Sequence, residues 1–188
     1  MFTDPEDLHA WETCIKLLHQ HARAPTAAAL SGLSISEVRL IAKQIGLPPK
    51  GGLLPTDSDW FVRYGGIYHV WSSLFCSFYF GTTRLLVSPS HAFLDAWSAS
   101  NALLPNIEKA SIDRAYYLTK LVEWKEIELR RCTCGATYVA KPLHVKDDAQ
   151  HCPLCVRHRS QKYGLLMAHF KSSETKRALK STRAKQIL

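Results

Sequence analysis

The sequence predicts a mainly α-helical protein: a helical domain containing a helix-turn-helix-like unit, followed by a small four-cysteine ribbon and a basic C-terminal tail. Three observations lead there. Apolar residues recur at helical spacing through most of the first 129 positions, and no apolar/polar alternation persists before residue 136. Four of the six cysteines fall in two tight pairs within "RRCTCGATYVAKPLHVKDDAQHCPLCVRHR", residues 130–159. The excess positive charge lies beyond them. The expected division is 1–129 helical domain, with the two-helix unit at about 25–45, then 130–157 ribbon and 158–188 tail.

In chain order, Leu8, Trp11, Ile15, Leu18 and Ala22 line one face of a helix over 7–22, with acids early where the macrodipole favours them. "APTAAALSGLSISEVRLIAKQI" then offers two short apolar-periodic runs hinged at Gly32. Ala28 is small enough for a close helix crossing, Gly32 suits the turn, and Val38 can anchor the second helix, as a helix-turn-helix requires. Ser34 is the expected cap, Val38, Ile41 and Ala42 the inward side, and Ser36, Arg39 and Lys43 the outward side. An ordinary helical hairpin uses the same glycine, and the two outward bases suit a protein partner as well as DNA.

"GLPPKGGLLP", residues 46–55, holds three prolines and three glycines and is an extended connector. A helix capped by Asp57 or Ser58 runs through Trp60, Tyr64, Tyr68, Trp71 and Phe75 toward Phe80, with Gly65 and Gly66 as a break point. Ser88-Pro89 opens another through Phe93, Ala96, Trp97 and Leu103, which Pro105 stops. Ser111 caps the next, with Asp113 in its first turn. Ala115, Leu118, Val122 and Ile127 or Leu129 line its buried side up to the cysteines. "ATYVA", from residue 136, reads as a strand.

Hydrophobic content of 46% with 21% charged residues is globular composition and excludes a mainly disordered chain. The start, "MFTDPEDLHAWE", lacks the features of a secretory signal, so a cytoplasmic protein is expected. The most apolar window, "IYHVWSSLFCSFYF" (67–80), is too short to cross a bilayer, and no membrane role is expected. Residues 1–156 balance at 15 bases and 15 acids. The net +8 therefore resides wholly in 157–188, where Arg157, Arg159, Lys162, Lys171, Lys176, Arg177, Lys180, Arg183 and Lys185 face only Glu174. Such a tail seeks polyanions. Lys176, Lys180 and Arg183 fall at i, i+4 and i+7, one basic stripe on any helix formed there.

Cys132-x-Cys134 and Cys152-x2-Cys155, seventeen residues apart, each suit a turn around one ion. Four thiolates at about 2.3 Å in a tetrahedron suit Zn2+, one per chain. Gly135 permits the tight turn after Cys134. Disulfides are the alternative for any even set of cysteines, and a reducing compartment disfavours them. A redox CxxC fits worse, because each pair already has a companion pair. His144 or His151 could replace one sulfur. A catalytic zinc needs an open position that four thiolates close, so a structural ion is expected. Cys14 and Cys76 lie on apolar faces and need no chemistry. No HExxH, GxSxG or phosphate-cradling glycine loop is present, and no enzyme is expected.

"RLIAKQIGLPPKGGLLPTDSDWF", residues 39–61, followed by CxCG and CPLC, resembles the FlhC family, a subunit of the bacterial flagellar master transcriptional activator. The resemblance covers residues 25–157, and the tail departs most. It implies a hetero-oligomer with several copies of FlhC and FlhD, binding to promoter DNA of flagellar operons and recruitment of RNA polymerase. It also implies zinc held by Cys132, Cys134, Cys152 and Cys155. Phosphate contacts are then expected from Arg157, Arg159, Lys162, Lys176, Arg177, Lys180 and Arg183, and sequence specificity from Arg39 or Lys43, from a ribbon side chain, or from DNA bending. Two other functions suit the same residues: an RNA-binding zinc-ribbon protein, and a structural adaptor that contacts no DNA.

Overall fold

The structure, a computed structural model, describes residues 5–48, 51–63, 66–83, 88–104, 110–142 and 151–159. The first helix, α1 (Pro5–His19), buries Cys14, Leu17 and Leu18. It stops short of residue 22 because His21 adopts a left-handed φ of 60°. The Ala22 N–H then reaches back to the Leu17 carbonyl at 3.1 Å, which satisfies a helix-end acceptor as a Schellman closure does.

Helices α2 (Ala24–Ser31) and α3 (Ile35–Gln44) follow, with Pro25 in the first turn of α2. Gly32 ends α2 at φ 79°, a conformation that costs other residues energy, and its N–H donates to the Ala28 carbonyl at 3.0 Å. Ser34 caps α3 through a reciprocal box: the Glu37 N–H donates to Ser34 Oγ, and the Ser34 N–H to Glu37 Oε2. Val38, Ile41 and Ala42 are fully buried, and α1, α2 and α3 pack against one another.

The 51–57 connector leads to α4 (Trp60–Arg63) and α5 (Gly66–Thr82). Before α4 the Asp59 N–H is bound by Asp57 Oδ1 at 3.0 Å. On α5 the aromatics recur every four residues, so Trp71, Phe75 and Tyr79 form one stacked ladder with ring centroids 5.4 and 6.1 Å apart. Phe93 of α6 (Pro89–Leu103) meets Phe75 edge-on at 5.4 Å. This aromatic seam between α5 and α6 is the centre of the core, and each such fully buried side chain contributes roughly 1.5–3 kcal/mol. Leu103, at the end of α6, is exposed.

α7 (Ile112–Glu123) is capped by Ser111, which accepts from the Arg114 N–H. Its Asp113 is 1% exposed and joins the early helices to the later ones. One oxygen accepts from the Arg23 N–H at 3.0 Å and from Thr26 Oγ1 at 2.6 Å; the other accepts from Arg23 Nη1 at 2.7 Å. The sequence places this carboxylate in a first turn; the fold adds Arg23 and Thr26, at the start of α2, as its partners.

The largest difference from expectation follows α7. The sequence predicts helix up to Leu129, whereas α7 ends at Glu123 and β1 (Glu128–Arg131) pairs antiparallel with β2 (Thr137–Ala140). The physical cause is a sharp exit. Lys125 adopts a φ of 61°, the Glu126 N–H returns to the Leu121 carbonyl at 2.9 Å, and Ile127 is buried at 1% exposure. With the chain turned and pinned there, "ELRR" gains cross-strand hydrogen bonds with "TYVA", and tertiary pairing overrides a weak local propensity. The register sets Leu129 against Val139 and Arg131 against Thr137.

The last element among the described residues is α8 (Pro153–Arg159). The chain divides into two compact units, Met1–Pro153 and Leu154–Leu188; of the second, residues 154–159 are described. Among the described residues no helix is long and apolar enough to cross a membrane.

Candidate metal centre

A strand hairpin and a helix start bring the paired cysteines together. The turn joining β1 to β2 is closed by the Cys132 N–H donating to the Ala136 carbonyl at 2.8 Å, and by the Gly135 N–H donating to the Cys132 carbonyl at 2.9 Å. Gly135 sits at φ 89°, so a side chain there would strain the turn. Cys152 immediately precedes α8, and Cys155 lies three residues further along, in its first turn.

No disulfide joins any of the six cysteines. The Sγ atoms of Cys132, Cys134, Cys152 and Cys155 lie within 4.8 Å of one another, and Cys134 Sγ is 3.9 Å from Cys152 Sγ. Four sulfurs each about 2.3 Å from one ion define a tetrahedron with edges of about 3.8 Å. A disulfide would instead bring two sulfurs to about 2.05 Å. The cluster thus has the size of a four-thiolate shell. The donor set fits a borderline-soft ion such as zinc, which the four thiolates would hold in a closed shell with structural duty. Cys152 is buried, Cys132 and Cys155 are half-buried, and Cys134 is exposed.

His151 is exposed and stands outside the cluster; His144 lies outside the described residues. The other two thiols are separate. Cys14 and Cys76 are fully buried in the helical core, where desolvation pushes the Cys14 pKa up to about 11 and that of Cys76 higher still.

The hairpin that carries Cys132 and Cys134 is built into the helical unit. Tyr138, Val139 and Ala140 are buried, and β2 lies against α5. The Val139 N–H donates to Ser73 Oγ at 3.1 Å, the Ser73 hydroxyl donates to the His69 carbonyl at 2.7 Å, and His69 Nε2 lies 2.6 Å from the Val139 carbonyl. A carbonyl can only accept, so Nε2 carries the proton. Lys141, just past β2, pairs with Asp59. Sequence reading missed the roles of His69 and Ser73. The available signal was a histidine and a serine at i and i+4 in an otherwise apolar helix.

Of the basic residues singled out for nucleic acid, Arg39 and Lys43 are exposed on α3 together with Ser36. Leu40, 53% exposed, shares that outward side. Arg157 and Arg159 belong to α8 by backbone. Lys162, Lys176, Arg177, Lys180 and Arg183 lie outside the described residues.

Comparison with known proteins places this architecture. Residues 5–164 match the profile of the family described as "Flagellar transcriptional activator (FlhC)". One relative, the "Flagellar transcriptional regulator FlhC" of Cupriavidus necator (strain H16), is 32% identical over 136 residues, or 67% of this chain. The alignment spans 64% of that relative's own length. The helical scaffold, the four-cysteine cluster and the match over most of the chain agree, and the chain belongs to the FlhC family of flagellar transcriptional activators.

Proposed function

We propose that the chain is the DNA-binding, zinc-holding subunit of a transcriptional activator, assembled with FlhD in a hetero-oligomer containing several copies of each subunit. In the cytoplasm, the complex binds promoter DNA of flagellar operons and helps recruit RNA polymerase. The observation that carries this reading is the convergence of four sulfurs in a chain of this family, directly before the segment that holds all the net positive charge.

On this reading the molecule works in three parts. The helical domain (1–129) presents Arg39 and Lys43 on α3. The ribbon (130–157) holds one structural zinc through Cys132, Cys134, Cys152 and Cys155. The basic tail (158–188), with Arg157 just before it, supplies phosphate contacts through Arg159, Lys162, Lys176, Arg177, Lys180 and Arg183. Phosphate contacts set affinity and salt dependence, whereas base identity is read in the grooves. A closed thiolate shell supplies folding energy rather than a reactive site, consistent with a protein that is not an enzyme.

The test is a promoter shift assay with the FlhD-containing complex, with and without chelator, against structured RNA at matched salt. The reading expects a preference for promoter duplex that chelation abolishes. It also expects Arg39→Glu with Lys43→Glu to weaken promoter binding and to relax its sequence specificity. Preference for RNA at every salt would establish the RNA-binding alternative. Indifference of DNA binding to reversal of Arg157, Arg159 and Lys162 would point to the adaptor.

A further inference from the structure

In a two-stranded antiparallel hairpin, alternate residues turn their N–H and C=O groups away from the partner strand, and those on the inner edge need other partners. Val139 is such a residue: it faces Leu129 in the register, yet its own N–H and C=O bind α5. Ser73 takes the N–H and His69 takes the C=O, from positions i+4 and i on one face of α5. A third hydrogen bond, from the Ser73 hydroxyl to the His69 carbonyl, orients the serine so that its oxygen lone pair meets the Val139 N–H. All three residues are buried, so no water substitutes for these bonds. Two side chains of a helix thus stand where a third strand would lie.

The same strand leads directly out of the cysteine turn. Thr137 begins β2 three residues after Cys134, and its partner Arg131 immediately precedes Cys132. Wherever α5 holds β2, it holds the pair of sulfurs at the end of the hairpin. We propose that His69 and Ser73 are positioning residues for the four-sulfur site: by clamping both backbone groups of Val139, they fix the hairpin so that Cys132 and Cys134 meet the second cysteine pair. This rests on the metal-holding reading above and assigns two residues, remote in sequence from every cysteine of the site, to metal affinity. Linkage makes the effect reciprocal, so metal binding tightens the clamp by the factor with which the clamp tightens metal binding.

The experiment uses the full chain in its FlhD complex, with zinc as the probe. Zinc affinity is measured by competition with a chromophoric chelator for wild type, Ser73→Ala, and the control Ser72→Ala. Ser72 is also buried on α5, and its hydroxyl has no partner among the described residues. Ser73→Ala strands the buried Val139 N–H and is expected to weaken zinc binding by about tenfold, with Ser72→Ala near wild type. Zinc loading is expected to slow exchange of the Val139 amide in wild type and not in Ser73→Ala. Mass spectrometry after alkylation of the metal-free protein counts four reactive thiols while Cys14 and Cys76 stay buried, and six if the helical core opens. The proposal is overturned by equal zinc affinity in wild type and Ser73→Ala. It is also overturned if Ser72→Ala loses as much, or if zinc loss in Ser73→Ala comes with six reactive thiols. A wild-type complex that binds no zinc overturns the metal reading itself and this inference with it.

Discussion

Replacing Asp113 with alanine should cost the helical unit more stability than any other single change to a charged residue described here. The carboxylate is 1% exposed and accepts three hydrogen bonds, from the Arg23 N–H, Thr26 Oγ1 and Arg23 Nη1. Removing it leaves the buried Thr26 hydroxyl and the Arg23 N–H without an acceptor, at about 1–1.5 kcal/mol each. The Arg23 side chain is 17% exposed, so it regains water and adds only about 1 kcal/mol, well under the loss for a fully buried pair. The total is about 3–4 kcal/mol. For a folding unit of about 150 residues, at roughly 2–4 °C per kcal/mol, this lowers the melting temperature by about 10 °C. Asp113→Asn keeps the shape and one acceptor oxygen and should lose about half as much. Thermal melting followed by far-ultraviolet circular dichroism measures both. An alanine variant melting within about 2 °C of wild type would refute the claim that this carboxylate ties α2 to α7.

Cys152→Ser removes one of four sulfurs from a buried position and should reduce zinc from about one per chain to near zero by elemental analysis, with loss of several kcal/mol from the hairpin. Burial raises the Cys14 and Cys76 pKa values, the former to about 11, so both should resist iodoacetamide at pH 8 in the native state and react only on unfolding. The Glu37 pKa is lowered by hydrogen bonds from the Ser34 side chain and backbone N–H. A carboxyl with a depressed folded pKa contributes stability above its unfolded pKa and loses it as pH falls through the folded value. The first turn of α3 should therefore loosen only below the ordinary glutamate range. A Glu37 carboxyl NMR titration with an ordinary midpoint would contradict the capping box.

Helices α1 to α3, α5, α6 and the start of α7 were legible in the sequence because their signals are local, whereas α8 fell where a ribbon was expected. Ser34 and Ser111 cap, Pro25 and Pro89 open first turns, Gly32 turns, and Val38, Ile41 and Ala42 repeat at the period that buries one face. The two cysteine pairs were equally plain, since ligand spacing is written along the chain. β1 was not legible. "ELRR" carries no alternation, and its strand conformation exists only because "TYVA" returns beside it after Lys125 and Ile127 have turned and pinned the chain. Nor could the sequence reveal what Asp113 holds across 87 and 90 residues, or what His69 and Ser73 hold across 70 and 66. Periodicity and ligand spacing say which face a residue occupies and what it can bind. Which distant backbone group meets it there is decided when elements far apart in the chain pack and each buried polar atom must find a partner.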